Sequence, residues 1–339
     1  MFAADLATLF SEAQRSREAE FVGLSTTDRF VLEQKDVGGK TMTMAQLSFS
    51  GERAGAASWL APAAPMGALE FVSPQAYGLA SVVTKDAVII IQDVMRFGML
   101  FPNGLSGLQK FELETGIDIR RDLAEPLGGE FLFAMDGPFL PTPSWKAIAE
   151  VYDSARLQNT IERLVMQSNS LIAKTGATPV MLSSEAVGGQ VYYRLGHAND
   201  VGPAVHYTYA MGYVILAPSR ALVSQALQYQ QSRSSIANST KFRSMMPSDG
   251  ADHCSAILYQ NLVETASSIA GYVPAGVGGI SPKQLDTLRQ TIELTPATLV
   301  CATGEPNRIV MGYQGDLAFN VLMLGGLRSM MQTVGAGRN

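Results

Sequence analysis

The alternation of hydrophobic and polar positions is clearest in the middle of the chain. From Trp145 to Tyr152 apolar residues fall on every second position, which is the period of a β-strand. Asp153 or Ser154 then caps a helix, in which apolar residues recur at helical spacing as far as Ile172. A strand followed by a helix is therefore predicted here. The apolar side of the strand comprises Trp145, Ala147, Ala149 and Val151.

Pairs of glycines mark the turns of two predicted hairpins. Gly188-Gly189 separates strands predicted at 180–186 and 190–195, and Gly38-Gly39 separates two similar strands near the start of the chain. Glycine suits such turns because it readily adopts the positive φ that a tight hairpin turn requires. A further hairpin is predicted at 206–217, and a helix follows it.

The order of predicted elements is similar in the two parts of the chain. Each part has a helix, a Gly-Gly hairpin, a strand, two helices and a further strand, and such a shared order indicates an internal repeat. We therefore predict an α+β fold, made of two repeated units of mainly antiparallel sheet covered by helices. The paired segments are 66–71 with 255–259, 78–98 with 262–271, 106–115 with 282–294, and 130–135 with 298–302.

The comparison divides the chain into three segments. Residues 1–140 form the first unit, and residues 141–316 form the second, which alone carries an extra hairpin and helix at 205–230. Residues 317–339 are predicted to form an apolar C-terminal helix and tail. The opening strand of the second unit has no counterpart in the first, so the first unit is expected to be truncated. We accordingly expect the native polypeptide to extend upstream of Met1.

Composition argues against several classes of protein. Of the 339 residues, 47% are hydrophobic and only 16% are charged, and the net charge is -5. The low charge argues against disorder, and the lack of a basic stripe argues against nucleic-acid binding. No stretch reaches the roughly 18 apolar residues of a membrane span, and the first residues lack the features of a signal peptide. The apolar segment 317–331 is predicted to be a core or interface helix, with contact to a membrane surface as the alternative.

Candidate catalytic groups are few. His197, His206 and His253 belong to no recognisable nucleophile motif. Asp118 and Asp122 are the strongest acid–base candidates, because paired carboxylates can exchange protons with a substrate or hold a cation. In the alternative, structural interpretation Asp118 caps a helix while Arg120 and Arg121 neutralise the acidic charge, and we favour that interpretation. We therefore predict no catalytic residue, no metal site and no cofactor.

Two further sets of residues have two interpretations each. Cys254 and Cys301 are either buried thiols or a disulfide formed in an oxidising compartment. Tyrosines of the hairpins and apolar residues near the C-terminus either pack in a core or form a surface that binds a partner protein or an apolar ligand. The candidate binding residues are Tyr207, Tyr209, Tyr213, Leu317, Phe319 and Leu322.

Several stretches share the pattern of caps and turns of a known family. They are Glu114–Leu123 with Pro126–Glu130, Val151–Asp153 with Leu157, and Gly212-Tyr213 with Ala217–Ser219. From about residue 50 onward the chain resembles an uncharacterised bacterial family, the one catalogued as domain of unknown function 3352. The resemblance implies an extracytoplasmic protein, because members of that family generally carry a leader or lipoprotein signal. It implies no activity, since the shared motifs are structural.

These observations favour a non-enzymatic extracytoplasmic protein, periplasmic or associated with the cell envelope, that binds a partner protein or an apolar ligand. A structural subunit of a larger envelope-associated assembly is the alternative. A second alternative is a hydrolase that uses the acidic cluster around Asp118 and Asp122.

Overall fold

A computed structural model describes residues 2–5, 17–37, 40–96, 105–137, 143–173, 176–197, 202–246, 253–261 and 297–314. Thirteen strands of this part of the chain form a single sheet, in which every neighbouring pair is antiparallel. The strands are β1 Phe2–Asp5, β2 Thr27–Val37, β3 Lys40–Phe49, β4 Gly78–Val83, β5 Leu127–Met135, β6 Trp145–Val151, β7 Val180–Val187, β8 Gln190–His197, β9 Val205–Ala210, β10 Tyr213–Ala217, β11 Ala256–Gln260, β12 Thr298–Glu305 and β13 Arg308–Gln314. Their order across the sheet is β1-β2-β3-β13-β12-β11-β4-β5-β6-β10-β9-β8-β7.

Helices connect these strands and cover parts of both faces of the sheet. The α-helices are α1 Arg17–Val22, α2 Ala56–Trp59, α3 Ala87–Arg96, α4 Leu105–Thr115, α5 Ser154–Ile172, α6 Arg220–Ser232 and α7 Thr240–Arg243. A π-helix spans Ile119–Ala124, and 3-10 helices span Leu24–Thr26, Gly67–Phe71 and Ile236–Asn238. The α+β fold class is thereby confirmed.

The helices, strands and turns whose sequence signals come from neighbouring residues lie where they were predicted. Asp153 caps α5, because its Oδ1 accepts a hydrogen bond of 2.9 Å from the backbone N–H of Arg156. Gly188 and Gly189 both have positive φ, as the turn between β7 and β8 requires. The strands β6, β9 and β10 and the pair β2–β3 also lie where the alternation of residues predicts them.

The two faces of the sheet differ in what covers them. The face here called the core face packs against α6, α7 and the 3-10 helices at Gly67–Phe71 and Ile236–Asn238. The face here called the open face carries Ala80, Phe133 and Leu258 on the central strands, and all three are exposed. Towards β8 the open face is covered again, because Leu157 of α5 packs against it. The buried side chains of the core face include Leu79, Leu132, Ile148, Ile215 and Ile257.

Three predicted assignments are wrong. The strand predicted at 66–71 is the 3-10 helix Gly67–Phe71, and the first residues of the helix predicted at 78–98 form β4 instead. A short strand, β1, precedes the first helix and pairs with β2, contrary to expectation. In both internal cases short apolar runs fit a strand or a helix equally well by periodicity, and tertiary partners decide between them.

Other predictions lie outside the described residues. They include the helices predicted at 262–271 and 282–294, the C-terminal segment 317–339, and the junction at residue 140 between the two predicted units. The strands on either side of that junction, β5 and β6, are neighbours in the same sheet. The unit boundaries stay predictions.

Candidate functional site

An apolar pocket lies on the open face, where α2 and α3 meet the ends of β4 and β5. Its volume is about 410 Å³, which falls within the range of small-molecule sites in proteins. Val82 and Phe131 lie opposite each other on adjacent strands and form its floor. The lining residues are Ala56, Trp59, Leu60, Val82, Thr84, Ala87, Ile90, Ile91, Leu127 and Phe131.

Hydrogen bonds hold α2 in place over the end of the sheet. The backbone N–H of Ala61, just after this helix, donates to the Val83 carbonyl at 2.9 Å. The buried guanidinium of Arg53 donates to the carbonyls of Ala57 and Leu60 at 2.6 and 2.8 Å. These bonds satisfy carbonyls at the C-terminal end of the helix, which would otherwise have no intrahelical partner. The wall of the pocket that α2 provides is therefore fixed to the sheet.

A side-chain bond ties the second helical wall to the first. The indole Nε1–H of Trp59 on α2 donates to Asp93 Oδ2 on α3 at 2.7 Å. The polar edge of the indole thus faces α3, while its ring lines the pocket. This arrangement allows an aromatic side chain with one polar group to present an apolar surface to a ligand.

The chemistry of the pocket suits a hydrocarbon. None of the lining residues that the structure describes is charged. Among them Thr84 has the only polar side chain that is not aromatic, and its hydroxyl already donates to the Gly129 carbonyl at 2.9 Å. A lining of this kind offers apolar surface, and binding there removes that surface from water. The lining residues named above include no acid, base or nucleophile.

The apolar surface continues beyond the pocket along the open face. Ala80 and Phe133 are neighbours across β4 and β5, two positions beyond Val82 and Phe131, and point to the same face. The ring of Phe133 stacks on that of Trp145, with 6.2 Å between their centroids. The pocket therefore opens onto a strip of exposed apolar side chains.

Two of the predicted binding tyrosines belong to an aromatic cluster beneath α5. Tyr193 stacks on Tyr207 with 4.9 Å between ring centroids, and Tyr209 lies edge-on to both. The hydroxyls of Tyr207 and Tyr209 donate to Gln158 Oε1 at 3.0 and 3.3 Å. Burial raises the pKa of Tyr207 to about 12. The cluster lies on the open face but is separate from the apolar pocket.

Tyr213 lies on the core face, apart from the other two tyrosines. Its hydroxyl donates to Glu130 Oε2 at 2.7 Å. The buried Glu130 carboxylate also accepts the backbone N–H groups of Gly67 and Ala68 at 3.1 and 2.8 Å. Burial raises the pKa of Glu130, and the hydrogen bond from Tyr213 acts in the opposite direction. The other predicted binding residues, Leu317, Phe319 and Leu322, lie outside the described residues.

The acidic residues occupy a helix terminus rather than a cleft. Asp118 precedes the π-helix, and its Oδ1 accepts the Arg121 backbone N–H at 2.8 Å. Asp122 is buried and forms ion pairs with Arg121 and Arg163 at 2.8 and 3.3 Å. The hydrogen bond from Arg121 lowers the pKa of Asp122, so this carboxylate is a poor proton acceptor at neutral pH.

A buried ion pair lies on the core face and was not predicted from the sequence. Lys146 Nζ lies 2.5 Å from Asp136 Oδ2, and the two side chains are 0% and 4% exposed. The Asp136 carboxylate also accepts the Ser73 backbone N–H at 2.9 Å, and the ammonium lies 4.9 Å from the centroid of the Tyr229 ring. Side chains alternate along β6, so Lys146 and Trp145 point to opposite faces of the sheet. Lys146 points to the core face, where side chains are more deeply buried. The only signal in the sequence was a lysine at the second position of a strand whose alternate residues are apolar.

Cys254 and Cys301 form a disulfide, which is one of the two alternatives considered for them. It joins the segment before β11 to β12, and both residues are buried. Among the described residues, no group of three His, Cys, Asp or Glu side chains is arranged to hold a metal ion. In the same part of the chain, no helix is both long enough and apolar enough to cross a membrane.

Comparisons of the chain with protein-family models, curated proteins and solved structures find no match. The resemblance to the domain of unknown function 3352 therefore stays a prediction.

Proposed function

We propose that the chain is a non-enzymatic extracytoplasmic protein that binds an apolar ligand in the pocket between α2, α3 and the open face. The observation that carries the proposal is the lining of that pocket, whose described residues are apolar except for Thr84. Because the Thr84 hydroxyl is already hydrogen-bonded, a hydrocarbon chain entering the pocket leaves no polar group unsatisfied.

The disulfide supports an extracytoplasmic location. Disulfides form and persist in oxidising compartments such as the periplasm, and they are rare in the cytosol. The bond between Cys254 and Cys301 is buried beside the central strands, as expected of a structural bridge. A periplasmic or envelope-associated protein would also encounter lipids and other apolar molecules.

The two tryptophans of the chain allow a direct test. Trp59 lines the pocket, whereas Trp145 lies on the open face outside it. In a Trp145→Phe background, emission therefore reports on the pocket alone. The probe is dibromostearic acid, a fatty acid whose bromine atoms quench tryptophan on contact. Saturable quenching of Trp59 is the expected result.

A matched pair of substitutions on α3 supplies the control. Ile90 lines the pocket, whereas its neighbour Ile89 is 43% exposed and does not. In the Trp145→Phe background, Ile90→Glu should abolish the saturable quenching, because a carboxylate in the pocket must be desolvated when the ligand enters. Ile89→Glu should leave it unchanged. Quenching that is absent in the parent, or equal in both variants, contradicts the proposal.

A structural role in an envelope-associated assembly is the second candidate function. Exposed Phe133 and Leu258 favour it, because contiguous exposed apolar side chains often mark contacts between proteins. Light scattering on the purified chain tests this candidate. A concentration-dependent increase in mass that Leu258→Asp suppresses would support it, and a strictly monomeric chain would contradict self-assembly through this face.

We also infer that the chain contains two repeated units, and the centre of the sheet supports this. The strands β4 and β11 meet there, with Ala80 opposite Leu258. Along the chain β4 is followed by β5 and β6, and β11 is followed by β12 and β13, and each set of three pairs in that order. Both central strands bury alternate residues towards the core face, Leu79 and Ser81 in one and Ile257 and Tyr259 in the other.

A further inference from the structure

A second concave site lies at the edge of the sheet, far along the strand order from the apolar pocket. It is a groove of about 410 Å³ between α5 and β7, the last strand of the sheet. One wall is a single face of the helix, and the other is the first half of the edge strand. The lining residues are Gln158, Glu162, Val165, Met166, Asn169, Val180, Met181, Leu182, Ser183, Ser184 and Tyr193.

The backbone of β7 has hydrogen-bonding groups directed away from the sheet. Asn169 of α5 shows which ones, because its side-chain amide donates to the Val180 carbonyl at 2.7 Å and accepts the Val180 N–H at 2.8 Å. The peptide groups of Val180 therefore point away from β8. Since this orientation alternates along a strand, the N–H and C=O groups of Leu182, Ser184 and Ala186 point the same way. Within the described residues, no hydrogen bond reaches those groups from outside the sheet.

This edge lacks the features that normally prevent strand addition. Such edges are usually short, bulged, or interrupted by proline or lysine. The strand β7 has eight residues, contains no proline or lysine, and pairs with β8 in an unbroken register. Its only charged residue, Glu185, lies on the other face of the strand and forms an ion pair with Arg220. The edge is therefore a regular template for another strand.

The side chains of the groove define the chemistry of an occupant. Val165, Met166 and Leu182 supply apolar surface, and methionine adapts well to varied partners. Among the described residues of the lining Glu162 is the only charged one, and it accepts a hydrogen bond from Gln158 at 2.9 Å. An extended peptide with apolar side chains on one side and a basic residue near Glu162 matches this surface.

We propose that the groove binds an extended peptide of a partner protein, which adds to β7 as a fourteenth strand alongside α5. Main-chain hydrogen bonds to Leu182, Ser184 and Ala186 supply the affinity, and the helical wall selects the side chains. The Asn169 amide already makes this kind of contact with the edge strand. The proposal is independent of the apolar pocket, so Ile90→Glu should leave peptide binding unchanged.

Synthetic peptides test the main-chain part of the proposal. The probe is a fluorescein-labelled nonapeptide of alternating valine and threonine with one central lysine, and fluorescence anisotropy measures its Kd for the full chain. The matched control peptide is N-methylated at alternate residues, which removes the N–H groups of one edge. The unmethylated peptide should bind at least tenfold more tightly. Equal affinities, or no saturable binding of either peptide, would overturn the proposal.

Substitutions in the chain test the site. Ser184→Pro removes an N–H that points away from β8 and should abolish binding, while circular dichroism and the thermal midpoint verify that the fold is kept. Glu162→Gln should remove the preference for the lysine peptide over one with a central glutamate, and Glu185→Gln, on the other face, should not. Retained binding in Ser184→Pro, or a dimer that this variant makes monomeric, would overturn the proposal; the second result would show that the edge pairs with a second copy of the chain.

Discussion

The surroundings of the buried ion pair between Lys146 and Asp136 allow us to predict how much stability is lost when the pair is broken. In Lys146→Met the apolar stem is preserved but the ammonium is lost. The Asp136 carboxylate then stays buried, with the Ser73 N–H as its remaining hydrogen-bond donor among the contacts described above. Breaking a buried pair in this way typically costs about 3–5 kcal/mol.

The expected shift of the thermal midpoint follows from the length of the chain. Unfolding entropy is about 2.1 cal/mol/K per residue, which amounts to about 0.7 kcal/mol/K for 339 residues. A loss of about 3–5 kcal/mol in the free energy of unfolding therefore lowers the midpoint by about 4–7 °C. Differential scanning calorimetry measures this shift, and urea denaturation gives the free energy independently.

Two further variants separate the charge effect from other causes. Lys146→Met/Asp136→Asn removes both charges and keeps an acceptor for the Ser73 N–H, so it should cost less than about 2 kcal/mol, well below the single substitution. Lys110→Met makes the same change in an exposed ion pair with Glu114 and should cost less than about 0.5 kcal/mol. The reasoning is refuted if Lys146→Met costs no more than Lys110→Met, or if the double variant is less stable than the single one.

Three other contacts give predictions of similar kind. Cys254→Ser/Cys301→Ser opens a loop with a sequence separation of 47 residues and should lower the free energy of unfolding by about 4 kcal/mol on the chain-entropy model; urea denaturation checks this, and an unchanged midpoint contradicts it. Tyr213→Phe removes a donor to a buried carboxylate and should cost about 1.5–3 kcal/mol in the same assay, whereas a loss below about 0.5 kcal/mol would show that water replaces the hydroxyl. A hydrogen bond from Arg121 holds the pKa of Asp122 below its ordinary value of 3.8, so this carboxylate stabilises the fold above pH 3.8, and the contribution is lost as the pH falls through the lower, folded-state pKa. The cost of Asp122→Asn should therefore be about 1–2 kcal/mol at pH 7 and shrink below pH 3.8; a cost independent of pH would rule out the charge as its origin.

The sequence correctly predicted the elements that neighbouring residues determine. The alternation at 145–151 and the helical spacing after Asp153 identified β6 and α5, and Gly188-Gly189 identified the turn between β7 and β8. Each of these signals depends on residues within a few positions of one another. The interpretation of Asp118 and Asp122 as structural acids rested on the same kind of local pattern.

Sequence patterns predicted the wrong type of element where a short apolar run fits a strand and a helix equally well. The apolar run at 66–71 was predicted as a strand, yet the N–H groups of Gly67 and Ala68 bind the Glu130 carboxylate from a different part of the chain. The run beginning at Gly78 was predicted as part of a helix, yet it pairs with β5 and β11 at the centre of the sheet. Partners far away in sequence determined both outcomes.

The two candidate binding sites were decided by tertiary structure alone. The apolar pocket joins Trp59 and Ile90 to Phe131, and the edge groove joins Glu162 to Leu182. Lys146, for which the sequence analysis made no prediction, is buried where Asp136 and Tyr229 meet it on the core face. Periodicity tells which residues share a face of one strand or helix, but not which element will cover that face. The order of strands in the sheet determines the cover, and with it the apolar pocket, the edge groove and the buried ion pair of Lys146 and Asp136.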